Sequence, residues 1–326
     1  MNDAILPIPD IPAALREAAQ LTKLIPFVGA GASKLGGCPD WNEFADEALK
    51  VFLERGKFSH AQLDQVRAVG PRVKLAIALA LQSEHQIQID FRRLLHRKDR
   101  NEYAAGCRLY SCLSKLGRTF VTTNYDEWLD EEIAPPATDL RNESGGNATA
   151  AARSRTVYFK PEDLTAAHLN SQDVVIHLHG SVKYPEGMIL TTPDYVQHYA
   201  NDRRSQENTV LTFLEDLFRH KTVLFIGYGL AELEILEYLI VKTRTRDRNL
   251  EPKHFLLQGF YSHERELMVS MRTYFRTCGI QLVPFLKDHG GWEQLISVLE
   301  SWSEAAPASA PLVSQQLKEM ESLLDG

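Results

Sequence analysis

The reading of this chain turns on "LIPFVGAGASKLGGCPDW", residues 24–41. An apolar run suited to a buried strand breaks into Gly29-Ala30-Gly31-Ala32-Ser33, and more glycine follows. A glycine turn straight after such a strand lets backbone come close to another group. In an open α/β sheet, ligands bind outside the carboxyl ends of the strands, where glycines admit phosphate beside backbone N–H groups. Gly29 and Gly31 fit that turn, and Ser33 adds a hydroxyl. A dinucleotide fingerprint would need a third glycine where Lys34 stands, which argues against an ordinary dehydrogenase. The pattern G-x-x-x-x-G-K-[ST] is absent too, which argues against a P-loop nucleotide hydrolase. The turn alone leaves two readings open, a plain strand-to-helix connection and a nucleotide site.

Six further β-rich apolar runs follow: 119–124, 156–159, 174–179, 222–227, 254–260 and 280–286. Helix-period segments separate most of them, as in "WNEFADEALKVFLERG", where Trp41, Phe44, Ala48, Leu49 and Phe52 share one side. Alternating strands and helices predict an α/β fold, a Rossmann-like parallel sheet with helices on both faces. The interval 41–117 is helical throughout, in pieces at 41–55, 60–69, 72–82, 86–97 and 101–117, and is expected to be an insertion after the first strand. Residues 135–155, rich in small and polar side chains, read as a loop. Residues 303–311 read as a linker, and 312–326 as a short amphipathic helix. The expected organisation is one domain over 1–302 followed by that linker and helix.

The chain has 326 residues, a formal net charge of −7, 44% hydrophobic residues and four cysteines. Such a composition suits a globular protein, and the acidic balance disfavours a general nucleic-acid binder. Two basic clusters, 91–100 and 242–248, read first as solvated faces, with a partner or nucleic-acid surface as the alternative. No apolar run reaches the roughly 20 residues needed to span a bilayer. The first residues lack a basic stretch followed by an apolar one, so a cytoplasmic location is expected. Cys38, Cys107, Cys112 and Cys278 form no C-x-x-C pair, so neither a zinc ribbon nor a disulfide framework is supported.

Three more strand ends carry polar or glycine-rich motifs. "FVTTNYDEW" runs into Asn124-Tyr125-Asp126, whose simplest role is a turn that satisfies local backbone groups. "VVIHLHGSV" ends in His179-Gly180-Ser181, with His177 two residues earlier and expected on the same face. An isolated H-x-H suggests no third metal ligand. "VLFIGYGLAELEI" breaks into Gly227-Tyr228-Gly229. All four strand ends would line one edge of the sheet.

Together, Gly29 to Ser33, Pro39-x-Trp41, Thr123 to Asp126, His179-Gly180-Ser181 and Gly227-Tyr228-Gly229 resemble the sirtuin-like (SIR2-like) NAD-binding family. The resemblance runs in order from about residue 24 to 300. It is nearest to the bacterial branch that includes NAD-hydrolysing effectors of antiphage defence. This chain lacks the four-cysteine zinc module of sirtuin deacylases. Gly229 replaces a serine typical of the later turn, and Ala231-Glu232 stands where branch members often carry an aspartate.

The resemblance implies NAD+ as substrate, no metal, and a site built from Gly29, Ala30, Gly31, Ser33, Trp41, Thr123, Gly227 and Gly229. Gly29 and Gly31 would admit the pyrophosphate. Asn124 would position ribose and water, Asp126 would shape the nicotinamide pocket, and His179 would accept a proton. The implied activity is NAD+ glycohydrolysis to nicotinamide and ADP-ribose. An NAD-dependent protein deacylase and a non-catalytic NAD or ADP-ribose sensor are the alternatives. An NAD-destroying enzyme would be toxic if always active. Control by a separately encoded partner protein is therefore expected, and the amphipathic helix at 312–326, with Leu312, Leu317, Met320, Leu323 and Leu324, predicts assembly into a homo-oligomer.

Overall fold

The computed structural model describes residues 4–131, 154–200, 208–228, 240–242 and 251–308. Gly229, Ala231-Glu232, residues 243–248 of the second basic cluster, most of the loop expected at 135–155 and the helix expected at 312–326 lie outside those residues.

All seven apolar runs form strands: β1 Leu24–Val28, β2 Thr119–Thr122, β3 Thr156–Tyr158, β4 Val174–His177, β5 Thr222–Ile226, β6 His254–Phe260 and β7 Ile280–Leu286. They make one sheet in the order β3-β4-β2-β1-β5-β6-β7, with every pair parallel. All five residues of β1 are buried, as expected of a strand covered on both faces. Its side chains alternate between two cores. Leu24 and Val28 pack under the helices α1 Ala13–Gln20, α7 Ala104–Leu116 and Gln294–Ala305. Ile25 and Phe27 pack under α9 Thr209–His220 and the helix Arg265–Cys278. Pro26 cannot donate to a ladder, and β1 pairs with β2 only from Phe27 onward. Gly117 makes room for the proline ring, since a Cβ there would lie 2.6 Å from Pro26 Cδ.

Between β1 and β2 run α2 Ala30–Leu35, α3 Trp41–Glu54, α4 His60–Gln65, α5 Pro71–His85, α6 Phe91–Leu95 and α7. Asp40 starts α3 with a capping box to Glu43, an arrangement worth about 1 kcal/mol. The insertion is shorter than the expected 41–117. Helices α3, α5 and α6 share their own core around Phe44, Phe52 and Phe91, whereas α7 buries Leu109, Leu113 and Leu116 in the core beneath the sheet. The last helix also runs on to Ala305, so the expected linker begins later than residue 303.

Successive connections leave β1 toward β2 on one side and return to β5 on its other side. The reversal places a switch point between β1 and β5, where open α/β sheets hold ligands at the carboxyl edge.

Candidate active site

The switch point is closed by backbone packed on backbone. Gly29 N–H donates to Ile226 O and Gly31 N–H to Gly227 O, each at 2.8 Å. A Cβ on Gly29 or Gly31 would come within 2.8 Å of Gly227 O. Gly227 has φ +71°, and a Cβ there would stand 2.3 Å from Ala32 N. These glycines therefore first allow two strand-end turns to interlock. In this arrangement the amides of Gly29 and Gly31 are already used, so a pyrophosphate here would depend on neighbouring donors. Tyr228 extends the junction by packing edge-on to Phe27 at 5.4 Å and sharing a 2.8 Å hydrogen bond with Thr123 Oγ1.

Asn124, Ser33 and Asp126 come together although 91 and 93 residues separate Ser33 from its partners. Asn124 Nδ2 donates to Ser33 Oγ at 2.7 Å, and Ser33 Oγ donates to Asp126 Oδ2 at 2.5 Å. Ser33 has one proton and gives it to Asp126, so the Tyr110 hydroxyl at 3.1 Å must donate to Ser33 Oγ. Asp126 Oδ1 accepts from Trp128 N at 3.1 Å. All four polar side chains are buried. Ser33 thus ties the first turn to the second rather than presenting a loose hydroxyl, and Asp126 is the acceptor that orders both. Ala30 opens α2 beside this junction. Trp41 lies at the edge of the helical insertion, 5.5 Å from the Tyr125 ring, and Tyr125 OH donates to Ile189 O at 2.6 Å.

The two histidines do not share a face. β4 ends at His177, and the chain turns before His179, so strand alternation no longer applies. His177 is fully buried beneath Asn124. Its Nδ1 lies 2.9 Å from Asn124 O and its Nε2 lies 2.9 Å from Asp130 Oδ1. A carbonyl and a carboxylate both accept, so both ring nitrogens carry protons and the ring is an imidazolium. Burial opposes that charge, but the Asp130 carboxylate outweighs it and raises the His177 pKa above the usual value. Burial likewise opposes the Asp130 charge, yet His177 and Lys183 overcome it and hold Asp130 at about 2. Lys183 Nζ lies 2.7 Å from Asp130 Oδ2.

His179 enters a different environment. Its Nε2 is 2.8 Å from Tyr199 OH, and its ring meets Tyr195 and His198 edge-on. These three residues come from α8, Thr192–Tyr199, and Arg72 of α5 lies 4.0 Å over the Tyr195 ring. The residue keeps some exposed surface, but its ring is enclosed by these neighbours. Burial, then the nearby His198 and Arg72, lower its pKa to about 3. His179 is therefore neutral at ordinary pH, further from its unperturbed value than the sequence suggested. The hydrogen bonds connect it to Tyr199, not to Asn124. Backbone joins the two turns instead, through Val182 N–H to Tyr125 O at 3.0 Å.

The first basic cluster is largely neutralised. Arg92 pairs with Glu127 at 2.7 Å, Arg97 with Glu47 at 3.8 Å, Lys98 with Glu102 at 3.9 Å and Arg100 with Glu131 at 3.7 Å. Among the described residues no group of three His, Cys, Asp or Glu side chains is placed to hold a metal, and no helix is long and apolar enough to cross a membrane.

Sequence reasoning missed Tyr110, Asp130, Lys183, Arg72 and the α8 aromatics as members of this region. Tyr228 was visible only as the middle of a glycine turn. No curated protein matches the chain. A family model described as the SIR2-like domain matches residues 118–282, which spans the Asn124, His179 and Gly227 turns but not the Gly29 turn. That match covers just over half of the 326 residues. With its parallel sheet and polar carboxyl edge, the chain belongs to the SIR2-like family, which implies an NAD-binding, NAD-using protein.

Proposed function

We propose that this chain is an NAD+ glycohydrolase that releases nicotinamide and ADP-ribose. The observation carrying this reading is the buried chain from Asn124 through Ser33 to Asp126 at the switch point. It fixes the amide of Asn124 from one side, while His177 fixes its backbone carbonyl from below. Such double anchoring suits a group that must hold a ribose and a water in one geometry.

In the reaction the bond between ribose C1′ and the nicotinamide nitrogen breaks, and its electron pair leaves with nicotinamide. The pyridinium becomes neutral as positive charge develops on the ribose. Water then bonds to C1′ and gives up one proton. Asn124 orients the ribose and that water, and the turn around Asp126 borders the nicotinamide. His179, neutral at rest, is the group to receive the proton once Nε2 is free of Tyr199. A negative substrate phosphate nearby would raise its basicity.

Control of such an enzyme would suit an NAD-depleting effector of bacterial antiphage defence, assembled as a homo-oligomer and triggered by a partner protein. Incubation of the purified chain with NAD+, with and without an acylated peptide, tests the reading. Nicotinamide and ADP-ribose forming without the peptide support it. Product that depends on the peptide means deacylation, and bound but intact NAD+ means a sensor.

A further inference from the structure

The opposite edge of the sheet holds a polar cavity, of about 60 Å³, at the amino ends of β1, β2 and β5. Lys221, Arg118, Thr119, Asn170 and Ser171 line it. Lys221 is only 7% exposed, and its ammonium gives one hydrogen bond, 2.8 Å to Asn170 Oδ1. No carboxylate lies within ion-pair distance of it among the described residues. Arg118 pairs with Asp173 through Nη2 at 2.5 Å, but its Nε is buried without a hydrogen-bond partner. Thr119 spends its hydroxyl on Ser171 O.

Lys23 stands close to Lys221, and Lys253 close to Lys23. Lys23 is near enough to lower the pKa of both Lys221 and Lys253, after burial as the larger cause. Lys253 itself donates to Arg219 O at 2.5 Å. Lys221, Arg118 and Lys23 thus gather at this end of the sheet in a chain whose net charge is −7, with Asp173 paired to Arg118. An ammonium enclosed in this way, with one neutral protein partner, gains from negative charge placed beside it in the cavity. The cavity has room for a few waters or one phosphoryl group.

We propose that this cavity is a second binding site, separate from the switch point, for a phosphate group, held by the Lys221 ammonium, with the positive charge of Arg118 in the cavity wall beside it. The phosphate is either free or carried by a nucleotide. Lys23 attracts it from outside, with Lys253 beyond it. Ala308 lines the same cavity and donates its N–H to Lys115 O at 2.7 Å, so an occupant would also contact the start of the C-terminal segment.

Calorimetric titration in phosphate-free, sulfate-free buffer tests the site, with inorganic phosphate in one arm and AMP in the other at equal ionic strength. Saturable binding is expected, weakened at least about tenfold in Lys221→Met, which keeps the apolar stem and removes the charge. Tighter binding of AMP than of phosphate identifies a nucleotide, and equal binding identifies the free anion. If Lys221→Met fails to fold, the doubly substituted Lys23→Ala/Lys253→Ala protein must bind several-fold more weakly with a shallower salt dependence. Absence of saturable binding to the wild-type chain, or binding undiminished in the variants that fold, overturns the proposal. Failure of NAD+ to bind at the switch point would leave this result untouched, because Lys221 lies at the other end of the strands.

Discussion

Asp130→Asn should be the most informative substitution away from the proposed chemistry. Asp130 is 1% exposed and touches His177 Nε2 at 2.9 Å and Lys183 Nζ at 2.7 Å. Asparagine keeps the shape and one acceptor but removes the charge. The depression of Asp130 from 3.8 to about 2 corresponds to roughly 2–3 kcal/mol of favourable interaction. Breaking a buried pair by removing one partner costs about 3–5 kcal/mol when the other charge stays uncompensated. Lys183 retains Glu127 at 3.6 Å, so the lower figure is expected here. The pH dependence has a definite sign. Asp130 has a depressed folded pKa, so its stabilisation is present above the unfolded value and is lost as pH falls toward about 2. His177 has a raised folded pKa, so its stabilisation is complete below its unfolded value and fades as pH rises through the folded one. Both shifts describe one interaction and are not added. The difference between wild type and variant should peak between about pH 4 and 6.5 and shrink on either side. Urea unfolding across that range measures it. A penalty below about 1 kcal/mol at the peak, or one that ignores pH, would refute the imidazolium–carboxylate pair.

Other expectations follow from single contacts. Gly227→Ala meets both a left-handed φ and a 2.3 Å approach to Ala32 N, and should lose more than about 2 kcal/mol in denaturant titration. NMR titration of Arg72→Met should move the His179 pKa upward from about 3, yet leave it below the usual histidine value because burial is the larger cause. The depressed His179 pKa also makes stability fall as pH drops from about 6.5 toward 3, and His179→Gln should flatten that slope in thermal unfolding. Deleting residues 309–326 should shift a homo-oligomer toward monomer, as light scattering would report; a full-length chain already monomeric at micromolar concentration contradicts the assembly expectation.

Most of the fold was legible because its strands are covered on both faces and so appear as unbroken apolar runs. "LIPFV" survives as a central strand despite Pro26, because its missing donor falls where the β2 ladder has not begun. Strand ends were legible for a related reason, since glycine, asparagine and histidine stand out directly after such runs. The hydrogen-bond pairing at those ends was not. Ser33 meets Tyr110 across 77 residues, and Thr123 meets Tyr228 across 105, and no local pattern records either contact. The two histidines illustrate the limit most clearly. A two-residue spacing implies a common face only while the strand lasts, and β4 ends at His177. The aromatic enclosure of His179 comes from α8, whose sequence carries no signal of where it docks. Likewise α7 has the same helical period as the insertion before it, and only packing assigns it to the sheet.

The central claim, that the carboxyl edge binds NAD+ and Asn124 acts in its cleavage, is tested most directly by NMR of NAD+ mixed with wild-type or Asn124→Ala protein. Both should bind NAD+. Wild type should release nicotinamide together with ADP-ribose, while the variant, folded and with the melting temperature little changed, should do so about 10²–10⁴-fold more slowly. NAD+ left unbound and intact by the wild-type chain, or cleaved at equal rates by both proteins, would contradict the account.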